Sequence, residues 1–229
     1  VHSSRSSSNY LQGLATTVNV AKKLDISGFV SYRKFDATLN KEDNTIATIL
    51  SSGYHRTETE MSKKNNSSHF ISGLNAEYRI GGGYVGITGL YVSLDKMLRP
   101  KTDAAYRKIY AHGKDFYNIG IHYGYTGHRL SVSGETASGG CNAIATINTL
   151  SYSLAENLDI MALQRFYSYN YYSLLSESFS EGGSVQNESG VYVGVNWKPF
   201  QGLNVMAYSD FAYFAWPKYQ AGNSSRAFD

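Results

Sequence analysis

Residues 116–125 read Phe116-Tyr117-Asn118-Ile119-Gly120-Ile121-His122-Tyr123-Gly124-Tyr125. In an extended chain, successive side chains point to opposite faces. Tyr117, Ile119, Ile121, Tyr123 and Tyr125 therefore share one face, and Asn118, Gly120, His122 and Gly124 share the other. Residues 191–198 repeat the pattern: Val191, Val193, Val195 and Trp197 alternate with Tyr192, Gly194, Asn196 and Lys198. In residues 69–80, Phe70, Leu74, Ala76, Tyr78 and Ile80 oppose His69, Gly73, Asn75, Glu77 and Arg79. In residues 130–135, Leu130 and Val132 oppose Ser131, Ser133 and Glu135.

Working outward, the alternation predicts ten strands, at about 10–22, 26–37, 69–80, 84–94, 116–125, 130–136, 143–154, 158–169, 191–197 and 203–214. The second and eighth alternate poorly, so their apolar faces are not assigned. Short connectors at 22–25, 81–83, 126–128, 155–157 and 199–202 carry the Gly, Asn, Asp and Pro that tight turns require. Long polar stretches at 36–68, 95–115 and 170–189 fall between them, and a shorter link at 137–141 keeps the same phase. Alternating residues with alternating short and long connections are the pattern of an all-β transmembrane, antiparallel up-and-down β-barrel, with residues 1–229 as one barrel domain or barrel fragment. By that phase the first and last strands reach the long-loop side, where whole bacterial barrels do not place their termini. The expectation is therefore a piece of a larger barrel, or edges paired with another chain.

Composition agrees. Charged residues make up 17% of the chain, against about a quarter in soluble domains. Tyrosine occurs 20 times, and amphipathic rings of this kind concentrate at membrane interfaces. No apolar run approaches the about 20 residues of a membrane helix. A net charge of +3 is too small to argue for nucleic acid. Cys141 is the only cysteine, so no intrachain disulfide forms.

On the barrel reading, Asn75, Glu77, Arg79, Asn118, His122, Ser131, Ser133 and Glu135 line a wet interior, because charge on those faces is intolerable against lipid. Residues 53–60, Gly-Tyr-His-Arg-Thr-Glu-Thr-Glu, are dense in ionisable groups. His55 with Glu58 has a metal-ligand spacing, and Glu58 with Glu60 could form a carboxylate pair. A metal site needs three or four ligands, however, and no further cluster is in view. The favoured reading of His55, Arg56, Glu58 and Glu60 is a polar loop or plug, with Arg56 paired to a carboxylate. Residues 45–50, Thr-Ile-Ala-Thr-Ile-Leu, are too apolar to stand free in water, so residues 44–64 are expected to fold against the interior or rim.

The sequence holds no phosphate-binding loop: the glycines at 81–83 lack the Lys-Ser/Thr ending. A Gly-x-Ser-x-Gly elbow is also missing. Asp210, His112 and a serine at the rim would be needed for a hydrolase, without any local motif to support it. No catalytic residue, cofactor or metal is expected.

Three stretches carry a family likeness: residues 52–60, residues 86–91 (Gly-Ile-Thr-Gly-Leu-Tyr) and residues 185–194 (Val-Gln-Asn-Glu-Ser-Gly-Val-Tyr-Val-Gly). Through them the chain resembles the barrel region of the helix-hairpin-helix-containing outer-membrane proteins of Bacteroidota. The resemblance implies a bacterial outer-membrane location. The DNA-binding hairpins that precede such barrels have no counterpart in these residues, so no nucleic-acid contact is supported. The expected partners are outer-membrane lipid or lipopolysaccharide, and other envelope proteins. The expected function is a channel or envelope structural protein. The alternatives are an accessory subunit of a secretion or DNA-uptake machine, and a soluble β-sandwich or surface adhesin.

Overall fold

The computed structural model describes residues 10–222 and 224–229. They form one antiparallel sheet of 13 strands with almost no helix. The strands are β1 (Gly13–Ala21), β2 (Leu24–Phe35), β3 (Ala37–Leu39), β4 (Ile46–Ile49), β5 (Ser67–Ile80), β6 (Gly83–Leu98), β7 (Gly113–Thr126), β8 (Leu130–Gly139), β9 (Ile144–Ala155), β10 (Leu158–Tyr167), β11 (Glu188–Trp197), β12 (Val205–Phe214) and β13 (Ser225–Phe228). Eleven of them pair in the order β1-β2-β5-β6-β7-β8-β9-β10-β11-β12-β13, each against its predecessor. This threading puts the short turns at one end and the long connections at the other. Among the described residues, the edge strands β1 and β13 are not paired with each other.

All ten expected strands are present, and the count of ten is corrected to thirteen. β3 and β4 form a small hairpin inside the first long connection, where β4 also touches β6 at Ile46 and Leu98. β13 pairs with β12 over residues 211–214. These three strands have three or four residues each, too few to display a period. Strands β6 and β7 also run further toward the long connections than their alternation suggested, past a register irregularity between Ser93 and Leu98.

The two faces of the sheet differ sharply. One face is bare. Ile119 and Ile121 on it are 51% and 57% exposed, and Val193 is 49% exposed. Following the register across the sheet, this face carries Val30, Leu74, Ile87, Ile119, Leu150, Ile160 and Val193 through its middle. Tyr78, Tyr123, Tyr125, Tyr152 and Trp197 lie on it toward the short turns; Tyr32, Tyr91, Tyr117 and Tyr213 lie toward the long connections. Among the described residues, the charged strand residues on this side are Lys34, Asp95, Asp115 and Arg226, all at the long-connection end.

The other face is covered at that end. Phe35, Ile71, Val92, Leu94, Leu98 and Phe116 are buried there against Ala37 and the fully enclosed Ile46 of the β3–β4 hairpin. A second cluster joins Ala143, Ala145 and Tyr167 to Tyr171 of the β10–β11 connection. The protein's core therefore lies between the sheet and its own long connections, not between two sheets.

Candidate functional site

The covered face divides into two halves. At the short-turn half, the register aligns Asp25, Glu77, Gly86, His122 and Glu135 in one row across β2, β5, β6, β7 and β8. Arg79 pairs with Asp25, and its Nε lies 3.5 Å from Glu77. Glu77 in turn is 3.9 Å from His122 Nε2. Asn75 donates to the Thr88 hydroxyl at 2.7 Å. Gly86 leaves room for the His122 ring, which a Cβ would meet at 2.4 Å, and Gly120 leaves room for the Glu135 carboxylate at 3.0 Å. Ser131 and Ser133 share the same face through their pairing with Ser151 and Thr149. All eight expected polar residues thus lie on one face, and seven of them lie at its short-turn half.

Asn118 is the exception, because the β10–β11 connection claims it. Its amide donates to the Tyr172 carbonyl at 3.2 Å and approaches the Tyr171 hydroxyl at 3.5 Å. Burial holds the Tyr171 phenol up at about 12, with the nearby Cys141 and Glu135 adding to the effect.

The strongest polar assembly on this face went unread in the sequence. Arg165 of β10, Glu188 of β11 and Asp210 of β12 are all buried. Arg165 donates to both Asp210 oxygens, at 2.8 and 3.1 Å, and its Nε donates to Glu188. The backbone N–H groups of Glu181 and Gly182 donate to the Glu188 oxygens at 2.9 and 2.8 Å. Phe179 lies over the guanidinium at 5.0 Å, and Tyr167 donates to its carbonyl at 2.8 Å. Two carboxylates on one guanidinium leave a surplus negative charge, and the two loop N–H groups meet it. The assembly therefore fastens residues 178–182 down on the sheet. Gly190 is required beneath it, since a Cβ there would fall 2.5 Å from the Arg165 guanidinium carbon.

The long connections also lock onto one another. Gln186 donates to the Ile109 carbonyl at 2.7 Å, and the Trp216 indole donates to the Ala105 carbonyl at 2.9 Å. Asn187, in the left-handed conformation with φ 56°, exchanges two hydrogen bonds with the Trp216 backbone at 2.9 and 2.7 Å. The first two contacts join loops whose strands are several places apart in the sheet. Beyond the fastened loop, the short-turn half of β8–β12 borders an open cleft of about 860 Å³, with Ser131, Asp159, Met161, Tyr192 and Tyr208 along its walls.

Residues 53–60 take a simpler form than their charge density suggested. Thr57 and Glu60 form a reciprocal cap on the helical turn α1 (Glu58–Met61). Arg56 pairs with Glu60 at 3.3 Å, and His55 bonds Asp36 at 2.6 Å. Glu60 is held below the usual carboxylate range, chiefly by the Arg56 backbone N–H. Glu60 is thus committed to the cap. Among the described residues no group of three or more His, Cys, Asp or Glu side chains is placed to hold a metal. Asp210 is buried and accepts from Arg165 at both oxygens.

No protein-family model matches this chain, and no curated protein does.

Proposed function

We propose that this chain is the wall of a transmembrane β-barrel in a bacterial outer membrane, acting as a channel or envelope structural protein whose interior is narrowed by its own loops. The observation that carries the reading is the separation of charge between the two faces. Every charge in the body of the sheet is on the covered face, and the bare face there is uncharged and mostly apolar, with Asn148 bonded to Gln164 and Thr136 to Thr146 among its aliphatic residues and aromatic rings toward both ends. In water such a face is a large unfavourable surface; in hydrocarbon it is the expected one, with rings at the headgroup level. The edges β1 and β12–β13 must then be paired, with each other or with further strands, because free backbone donors are costly in lipid.

The fastened loops favour a closed or gated interior over an open pore, and with it a structural or accessory role in the envelope, in line with the resemblance to the Bacteroidota barrels. Planar-bilayer recording of the purified protein tests this. The expected result is small or no conductance in the native chain and a rise when residues 178–182 are cut free of Glu188, as in Glu188→Gln. Large steady conductance in the native chain would remove the plug. Extraction into water without detergent would remove the membrane.

A further inference from the structure

The long-connection end carries a second cavity, of about 660 Å³, bordered by Leu98 at the end of β6. Its walls come from three separate segments: the β3–β4 hairpin through Ile49, the β6–β7 connection through Lys101, Tyr106, Arg107 and Tyr110, and the β12–β13 connection through Tyr219. The rings are built into one another. Tyr106 meets Tyr110 edge-on at 6.3 Å and Tyr219 edge-on at 5.7 Å. Arg107 stacks over Tyr106 at 5.3 Å and donates to its hydroxyl at 3.0 Å, which fixes the guanidinium at the cavity wall. The Trp216-to-Ala105 bond ties two of the three segments together.

The charges around this cavity are unbalanced. The connection at 99–112 holds four Lys and Arg residues and one acid, Asp103. Arg99 is taken by Asp43 at 2.9 Å. Among the described residues Lys101 and Arg107 have no carboxylate partner, and no acid lines the cavity. An aromatic, largely apolar pocket with two uncompensated cations on its wall is complementary to a body that is apolar or flat and ends in an anion.

We propose that this cavity binds an organic anion, a phosphate or carboxylate borne on an apolar or aromatic body, with Lys101 and Arg107 on the anion and Tyr106, Tyr110 and Tyr219 on the body. The site is independent of the membrane reading, since none of its walls is the bare face. The chemistry is shared by a soluble aryl phosphate and by a phosphorylated glycolipid.

Calorimetric titration of the folded full chain tests it, in lipid nanodiscs with empty discs subtracted, or in buffer if the chain extracts without detergent. The probes are naphthyl phosphate, naphthol and inorganic phosphate. Saturable binding of naphthyl phosphate, at least tenfold tighter than either of the others, is expected. The double variant Lys101→Gln with Arg107→Gln should weaken it tenfold or more, and Tyr219→Ala severalfold. Lipopolysaccharide that displaces naphthyl phosphate would identify the natural source as a lipid headgroup; failure to displace it would identify a soluble ligand. Equal binding of naphthol and naphthyl phosphate, unchanged binding in the double variant, or no saturable binding would overturn the proposal. Far-ultraviolet circular dichroism of each variant separates loss of the site from loss of the fold.

Discussion

Arg165 and Asp210 meet through two parallel hydrogen bonds, at 2.8 and 3.1 Å, although 45 residues of chain separate them. They come from β10 and β12, with Glu188 of the intervening strand on the third guanidinium nitrogen. A buried guanidinium with both carboxylates in place is close to neutral in its effect on stability; a buried charge left alone is not.

Arg165→Ala should therefore cost about 3–5 kcal/mol, because it strands two buried carboxylates. Arg165→Met with Glu188→Gln and Asp210→Asn, which removes all three charges, should cost less than the single change. Denaturant titration of the protein in detergent measures both. A single variant as stable as the native chain would mean that the carboxylates find water.

Gly190→Ala should act on the same assembly from beneath. The added methyl falls within 2.5 Å of the guanidinium carbon, so the Arg165 side chain must move off Asp210 or Glu188. The expected signature is increased protease cleavage in residues 171–187 with the strands intact. Unchanged cleavage would show that the guanidinium can shift without releasing the loop.

Val193→Arg tests the face assignment. On the bare face at mid-strand it should cost about 2–4 kcal/mol in a bilayer. Ser133→Arg, on the covered polar half, should cost much less. Folding yield into vesicles, read by protection from added protease, compares the two. Equal costs would mean that Val193 does not face lipid.

Deleting residues 49–60 should raise conductance, since Ile46 next to them is the enclosed anchor of the β3–β4 hairpin against Phe35, Val92 and Leu98. Single-channel recording of the deletion beside the native chain measures the change. No change would place the constriction at residues 171–187 alone.

Tyr171 predicts an alkaline limit for the fastened loop. Its folded-state value of about 12 lies above the ordinary 10, so the folded chain favours the neutral phenol. The associated stability is present below pH of about 10 and is lost as pH rises toward about 12. Tyr171→Phe has no such proton to lose. The native chain should lose stability more steeply than the variant over that range, in parallel denaturant titrations. Parallel curves would show the phenol to be solvated.

The strands and the separation of their faces were legible in the sequence because alternation is local: each residue's face follows from its neighbour's. Residues 116–125 and 191–197 show the period cleanly because one side of each is exposed and apolar while the other holds small or polar residues. The period blurred in β2 and β10, and the structure supplies the reason. On their covered faces stand Phe29 and Phe35, and Met161, Leu163 and Tyr167, apolar residues interleaved with Asp25, Arg33, Asp159 and Arg165. Most of these apolar residues lie where loops fold over the sheet, so both faces read as apolar. What only the tertiary structure decided is what the long connections do. Arg165, Glu188 and Asp210 carry no spacing signal, because their meeting depends on the register of three strands and on a loop returning to supply two N–H groups. The aromatic cavity among the long connections likewise needs three segments that are distant in the chain, and local periodicity is blind to such distances.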